Sequence, residues 1–206
     1  MTRITLMKIA IKNRTCFFIF FLILFVPLLV GSCSKDSTSP RPYGYYRVDL
    51  PPKAYIQASL EGYPYSFDIS TSAHVIPRYA KGEKYWIDIN YPALKANIHV
   101  SYKPVHVDLF NLVEDTRKIV YKHAVKADNI AEIPYEHPEK RVFGILYELT
   151  GNTASPMQFV LTDSSSHFFR GALYFESVPN KDSIAPIAQY IQGDIVRLVE
   201  SFEWKK

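Results

Sequence analysis

Ile184-Ala185-Pro186-Ile187-Ala188-Gln189-Tyr190-Ile191-Gln192-Gly193-Asp194-Ile195-Val196-Arg197-Leu198-Val199-Glu200-Ser201-Phe202 is the clearest helix in the sequence. Ile184, Ile187, Ala188, Ile191, Ile195, Leu198, Val199 and Phe202 recur at helical spacing and form one apolar stripe. Asp182 or Ser183 is placed to cap it. Pro186 falls in the first turn, where a missing N–H does no harm. The stripe reads as core rather than as a cofactor box, so it must be buried against another layer. The preceding residues supply that layer. Phe143, Ile145, Tyr147 and Leu149 alternate with Gly144, Leu146 and Glu148, as in a strand. The segment Gly151-Asn152-Thr153-Ala154-Ser155-Pro156 turns the chain, and Met157, Phe159 and Leu161 form the next inward set. Asp163-Ser164-Ser165-Ser166 turns back into Phe169, Gly171, Leu173 and Phe175, which leaves Phe168, Arg170, Ala172 and Tyr174 outward.

The same pattern stands earlier in the chain. Tyr65-Ser66-Phe67-Asp68-Ile69 alternates. Tyr85, Ile87, Ile89 and Tyr91 alternate with Trp86, Asp88 and Asn90, and Ile98, Val100 and Tyr102 with Asn97, His99 and Ser101. Pro92 and Pro104 end the second and third of these runs, because proline cannot donate into a ladder. Asp108 is placed to cap a helix with Leu109, Leu112, Val113, Thr116, Val120 and Ala124 on its apolar side. A polar gap holding Pro134 and Pro138 follows. Residues 43–62, aromatic and broken by Pro51 and Pro52, are expected to pack along the domain edge. The order is three strands, helix, three strands, helix, with no internal repeat. It predicts an α+β fold: a mainly antiparallel sheet of about six strands, with two helices covering one or both of its ends. By element order the arrangement resembles the PsbP-like fold.

Ahead of this domain lies the apolar run Cys16 to Val30, preceded by Arg3, Lys8, Lys12 and Arg14 and followed by Gly31-Ser32-Cys33. A positive segment, an apolar segment and small residues before a cysteine form a lipoprotein signal. The expectation is cleavage after Ser32 and lipid on the thiol and amine of Cys33. The competing reading is an uncleaved anchor helix. The run is short for a bilayer core of about 30 Å, which takes roughly 20 apolar residues. The domain plan is a signal peptide over 1–32, a flexible tether over 33–42 and one α+β domain over 43–206. Lys35-Asp36 resembles part of the export signal of surface lipoproteins in Bacteroidetes. The longer acidic run of that signal is missing, so the expected place is the outer membrane, facing the periplasm.

Without the leader, the 24 Lys and Arg fall by four to 20, against 20 Asp and Glu. A formally neutral chain lacks the basic excess of a nucleic-acid binder. Cys16 leaves with the leader and Cys33 carries lipid, so the domain has no internal disulfide and stands on its core. All 15 Tyr lie beyond the leader, which suits a β-rich domain with aromatic faces.

Catalytic signatures are missing from the sequence: no Gly-x-Ser-x-Gly elbow, no Gly-rich phosphate loop, no His-Glu-x-x-His and no Cys pair. His99 and His106 could meet as metal ligands, but no third ligand has a family spacing, so polar-face histidines are the expectation. Asp163, Ser164 and His167 sit too close together on one turn to form a triad, which is assembled across a fold. No enzyme activity, cofactor or metal is therefore expected.

Several strings carry a family resemblance. They are Tyr46-Arg47-Val48-Asp49-Leu50-Pro51, Leu94 to Pro104, Glu114-Asp115-Thr116-Arg117, Val120-Tyr121-Lys122-His123, Tyr147 to Pro156, Arg170 to Phe175 and Pro179 to Pro186. The chain resembles the gliding-motility lipoprotein GldD family of Bacteroidetes over most of residues 43–204. The resemblance implies a lipid-anchored accessory to gliding, linked to type IX secretion, with other motility or secretion proteins as partners. It implies no catalytic residues. The first expectation is thus an interaction module, held to the membrane through Cys33 and binding no nucleic acid. The alternative is an envelope lipoprotein that binds a small lipid or glycan. Two surfaces are candidates for partner binding: Arg117, Tyr121 and Lys122 on the first helix, and Arg170 and Tyr174 on the last strand. Tyr and Arg are enriched at binding hot spots, although both patches read equally well as solvated faces.

Overall fold

The computed structural model describes residues 48–105, 108–176 and 181–205. The leader, Cys33, the tether, residues 43–47 and His106 lie outside these. Among the described residues no helix is long and apolar enough to cross a membrane.

The centre is a seven-stranded sheet, antiparallel at every pairing, in the order β4-β5-β6-β10-β9-β8-β7. Its strands are β4 (His74–Ala80), β5 (Glu83–Tyr91), β6 (Ala96–Pro104), β7 (Ala127–His137), β8 (Val142–Gly151), β9 (Met157–Thr162) and β10 (His167–Phe175). Helix α1 (Leu109–Lys122) follows the first three strands and α2 (Lys181–Ser201) follows the last four. The α+β class and the antiparallel sheet are as the alternation predicts.

Two strands of this sheet are hidden in the sequence. β4 carries Pro77 and is largely exposed, and β7 carries Pro134 and has no buried residue. Both are edge strands, where a proline breaks no ladder and hinders edge-to-edge association. Neither buries one clean face, so neither shows period-two alternation. The predicted polar gap is therefore β7, and the sheet has seven strands rather than six.

The run Tyr65–Ile69 is also corrected. It splits into β2 (Tyr65–Ser66), paired with β11 (Glu203–Trp204), and β3 (Asp68–Ser70), paired with β1 (Tyr55–Gln57). Neither joins the large sheet. Tyr65, Ser66 and Phe67 are all buried, so the chain is covered on both sides and changes partner at Phe67. Phe67 and Phe202 stack with centroids 6.1 Å apart, and Phe169 meets Phe202 edge-on at 4.9 Å. This aromatic cluster ties the residues after α2 to the first strands.

Two hairpins use the same turn. Pro92–Leu94 joins β5 to β6 and Pro138–Lys140 joins β7 to β8, each a single 3₁₀ turn. Each ends in a left-handed basic residue, Lys95 at φ 49° and Arg141 at φ 52°, whose N–H donates to the proline carbonyl.

The helices pack on opposite faces of the sheet, not at its ends. Ile191, Ile195, Leu198 and Val199 of α2 are buried with Ile87, Ile89, Ile98, Phe159, Leu161, Phe169 and Leu173. The predicted stripe is therefore in register. On the other face Val120 of α1 is buried with Tyr147, Leu149, Val160 and Phe168, flanked by Leu109, Leu112, Ile130 and Ile145. The Asn111 N–H donates to Asp108 Oδ1 at 3.2 Å, the N-cap that the sequence suggests.

Candidate functional site

Helix α1 covers only the β7–β10 half of its face. Among the described residues the β4-β5-β6-β10 half carries no helix, and its outward side chains form an open groove of about 440 Å³. Strand alternation puts them there: Arg78 on β4, Trp86 on β5, His99 and Ser101 on β6, and Arg170, Ala172 and Tyr174 on β10. The register sets their neighbours. Arg78 lies opposite Trp86, Asp88 opposite His99, Arg170 opposite Ser101, and Ala172 between His99 and Gln158.

Asp88 is the electrostatic hub of the outer end. Its Oδ1 lies 3.3 Å from Arg78 Nη1 and 2.7 Å from His99 Nδ1. The Arg78 guanidinium also stands 5.6 Å from the Trp86 ring centroid. That ring is fixed, because Trp86 Nε1 donates to the Tyr102 carbonyl at 3.0 Å. A register shift between Arg78 and Ala80, and a left-handed Tyr85 at φ 64°, bend the β4–β5 hairpin beside this pair. The His99 and Tyr174 rings meet with centroids 5.4 Å apart.

Arg170 sits where the covered and open halves join. It is half-buried, whereas Arg78, Arg117, Arg141 and Arg197 are exposed. Burial holds its pKa below the ordinary arginine value, and the nearby Tyr174 opposes this shift. Its Nη2 donates to Oε1 of the fully buried Gln158 at 2.7 Å. Among the described residues Arg170 Nε, Gln158 Nε2 and Asn97 Oδ1 are buried without a hydrogen-bond partner.

A family model described as gliding motility lipoprotein GldD matches residues 35–204. The chain belongs to the gliding motility lipoprotein GldD family. That membership makes it a lipid-anchored protein of the cell envelope associated with gliding motility. No curated protein matches the chain. Among solved structures it is similar to the solution structure of cyanobacterial PsbP (CyanoP) from Synechocystis. The identity is 9%, the likeness covers 75% of this chain and 95% of that chain, and the TM-score is 0.45.

In this GldD-family chain Arg170 and Tyr174 both line the groove. Arg78 and Trp86, which sequence reasoning did not single out, line it as well. Asp88 and Gln158, also not singled out, hold lining side chains in place, Asp88 at Arg78 and His99 and Gln158 at Arg170. The only signal for Trp86 and Asp88 was their outward place in alternating runs. The α1 patch lies elsewhere. Arg117 Nε is 3.7 Å from Glu132 Oε1, and the Tyr121 hydroxyl donates to the same oxygen at 2.8 Å. Both side chains are thus engaged by β7, while Lys122 is exposed. His99 pairs with Asp88, and its suggested metal partner His106 lies outside the described residues. Among the described residues no group of three His, Cys, Asp or Glu could hold a metal ion.

Asp163 is a turn-former, as its spacing suggests. Burial opposes its charge. The N–H groups of Ser166, Ser165 and His167, with the Ser165 hydroxyl, outweigh that cost and hold its pKa down at about 2.

Proposed function

We propose that this chain is an accessory module that docks a protein of the gliding or type IX secretion machinery on the open half of its sheet. The observation that supports this is a wide face, uncovered by α1, where Trp86, His99, Arg170 and Tyr174 lie together. Aromatic and arginine side chains concentrate binding energy when a partner excludes water from them. The module acts by binding rather than by catalysis. Its anchor is lipid on Cys33, exposed by cleavage after Ser32, with a diacylglyceryl group on the thiol and a fatty acid on the amine. Two or more acyl chains hold stably, at ~0.8 kcal/mol per buried CH₂. The protein then sits on the outer membrane and faces the periplasm. Arg117, Tyr121 and Lys122 form a second, weaker candidate surface, since Glu132 already engages two of the three.

The test is a photo-crosslinking amino acid at position 174, with position 189 on the exposed side of α2 as control. Position 174 should capture a motility or secretion protein and position 189 should not. Absence of any protein adduct at 174 would refute docking there. Cys33→Ala should remain unprocessed or leave the outer membrane. Normal processing and retention of that variant would refute the anchor.

A second reading has its own support. The groove has ring walls from Trp86 and Tyr174, so a small glycan or lipid headgroup is the competing occupant.

A further inference from the structure

Resting on the docking reading above, we propose that the groove receives one carboxylate, the side chain of an Asp or Glu on the partner protein, and that Arg170 is its receptor. Half-buried guanidinium groups are normally paired, because an uncompensated charge away from water is costly. Arg78, Arg117 and Arg197 each have a carboxylate within 4 Å, at Asp88, Glu132 and Asp68. Arg141 donates to the Asp163 carbonyl and to Ser165. Arg170 is the most sheltered of the described arginines, and no carboxylate among the described residues pairs with it.

The unused hydrogen-bonding capacity is local. Of the six buried side-chain polar atoms left without a partner among the described residues, three belong to this region of the sheet. Arg170 Nε and Gln158 Nε2 are donors on adjacent strands, and a carboxylate accepts through both of its oxygens. Asn97 Oδ1, opposite Tyr174, is the third atom.

Charge counting selects a single anion. Asp88 already serves both Arg78 and His99, so the outer end of the groove has its own carboxylate, whereas Arg170 has none among the described residues. An acyl chain would need an apolar channel, whereas this floor presents Arg78, His99, Ser101 and Arg170. The short methylene arm of a Glu or Asp is apolar, as are the Trp86 and Tyr174 rings that line the groove, and it carries the charge to Arg170.

The test is NMR of the arginine Nε–H signals in the full-length lipidated protein in micelles. The probe is N-acetylglutamate N-methylamide. The comparison ligands are the neutral glutamine analogue, glucuronate and inorganic phosphate. The glutamate probe should move the Arg170 Nε–H signal saturably and bind at least tenfold more tightly than the glutamine analogue. Arg170→Lys, which keeps the charge and loses the fork, should weaken it at least fivefold. Ser101→Asp sets a carboxylate directly opposite Arg170 on the neighbouring strand. It should raise the melting temperature, abolish probe binding and stop colony spreading. No saturable shift, equal binding of the glutamine analogue, or unchanged binding in Ser101→Asp would overturn the proposal. So would glucuronate or phosphate binding tenfold more tightly than the glutamate probe, which points to a glycan or a phosphate instead. A protein adduct at position 174 without carboxylate binding sinks this inference alone. Carboxylate binding without an adduct sinks the docking reading.

Discussion

Gly171→Ala tests the packing that carries the groove. Gly171 lies on β10 opposite Phe159 on β9, on the face that meets α2. A Cβ added at Gly171 would come within 2.3 Å of Phe159 Cζ and 2.4 Å of Cε1. Carbon atoms pack at about 3.5–4.0 Å, so the ring must retreat by more than about 1 Å. Phe159 is fully buried, with Phe169 6.1 Å away ring to ring, and has little room to do so. Overpacking of this kind costs ~1–3 kcal/mol. Stiffening of the unfolded chain returns ~0.4–1 kcal/mol. A net loss of about 1–2 kcal/mol is expected, a Tm decrease of roughly 2–8 °C at this chain length. Phe159→Leu removes the obstructing ring edge, so the double variant should be more stable than the sum of the single losses by about 0.5–3 kcal/mol. Urea unfolding of the full chain in micelles measures all four corners of the cycle. Additive losses would refute the argument, because the ring would then not be the obstacle. Gly144→Ala provides a harsher comparison. There the added Cβ meets the Val160 carbonyl oxygen at 2.1 Å, and backbone in a central strand cannot swing aside.

Further outcomes follow from the same structure. Ile191→Ala and Ile195→Ala should each cost ~2–5 kcal/mol in urea unfolding, since both side chains are fully buried. Asp163 has its carboxyl lowered from 3.8 to about 2. Its extra stability is therefore complete above 3.8 and lost as pH falls through about 2. Asp163→Asn should lose about 2 kcal/mol near neutral pH and flatten that acid limb, as pH-dependent unfolding would show. Lys53→Met strands the buried Asp194, which Lys53 pairs with and the Tyr55 hydroxyl supports at 3.0 Å. It should cost roughly 3 kcal/mol, and Lys53→Met with Asp194→Leu should recover much of that loss in the same assay.

The groove was half legible in the sequence. Arg170 and Tyr174 stand out because they are polar or aromatic on the outward side of a run whose inward side is apolar. Trp86, Asp88 and His99 also lie outward in their own runs, but nothing local joins them to Arg170. Arg78 was invisible, because β4 is an exposed edge strand broken by Pro77 and shows no alternation. Gln158 was hidden for the opposite reason. Both faces of β9 are covered, so every residue from Met157 to Leu161 is buried and alternation no longer marks direction.

Sequence alone determined whatever depends on near neighbours along the chain. Period-two runs placed the central strands, the 3.6-residue stripe placed α2 in its correct register, and Asp108 marked the start of α1. These signals survive without a fold because each arises from one segment having a wet side and a dry side. Tertiary structure decided which segments became neighbours. β6 lies against β10, so Ser101 faces Arg170 and His99 faces Ala172 across a gap of some seventy residues in the chain. It also decided that α1 covers only half of its face, leaving the groove open. Long-range pairing is fixed by how all the layers bury their apolar surface together. One strand's alternation says which side is dry, and nothing about which strand will lie beside it.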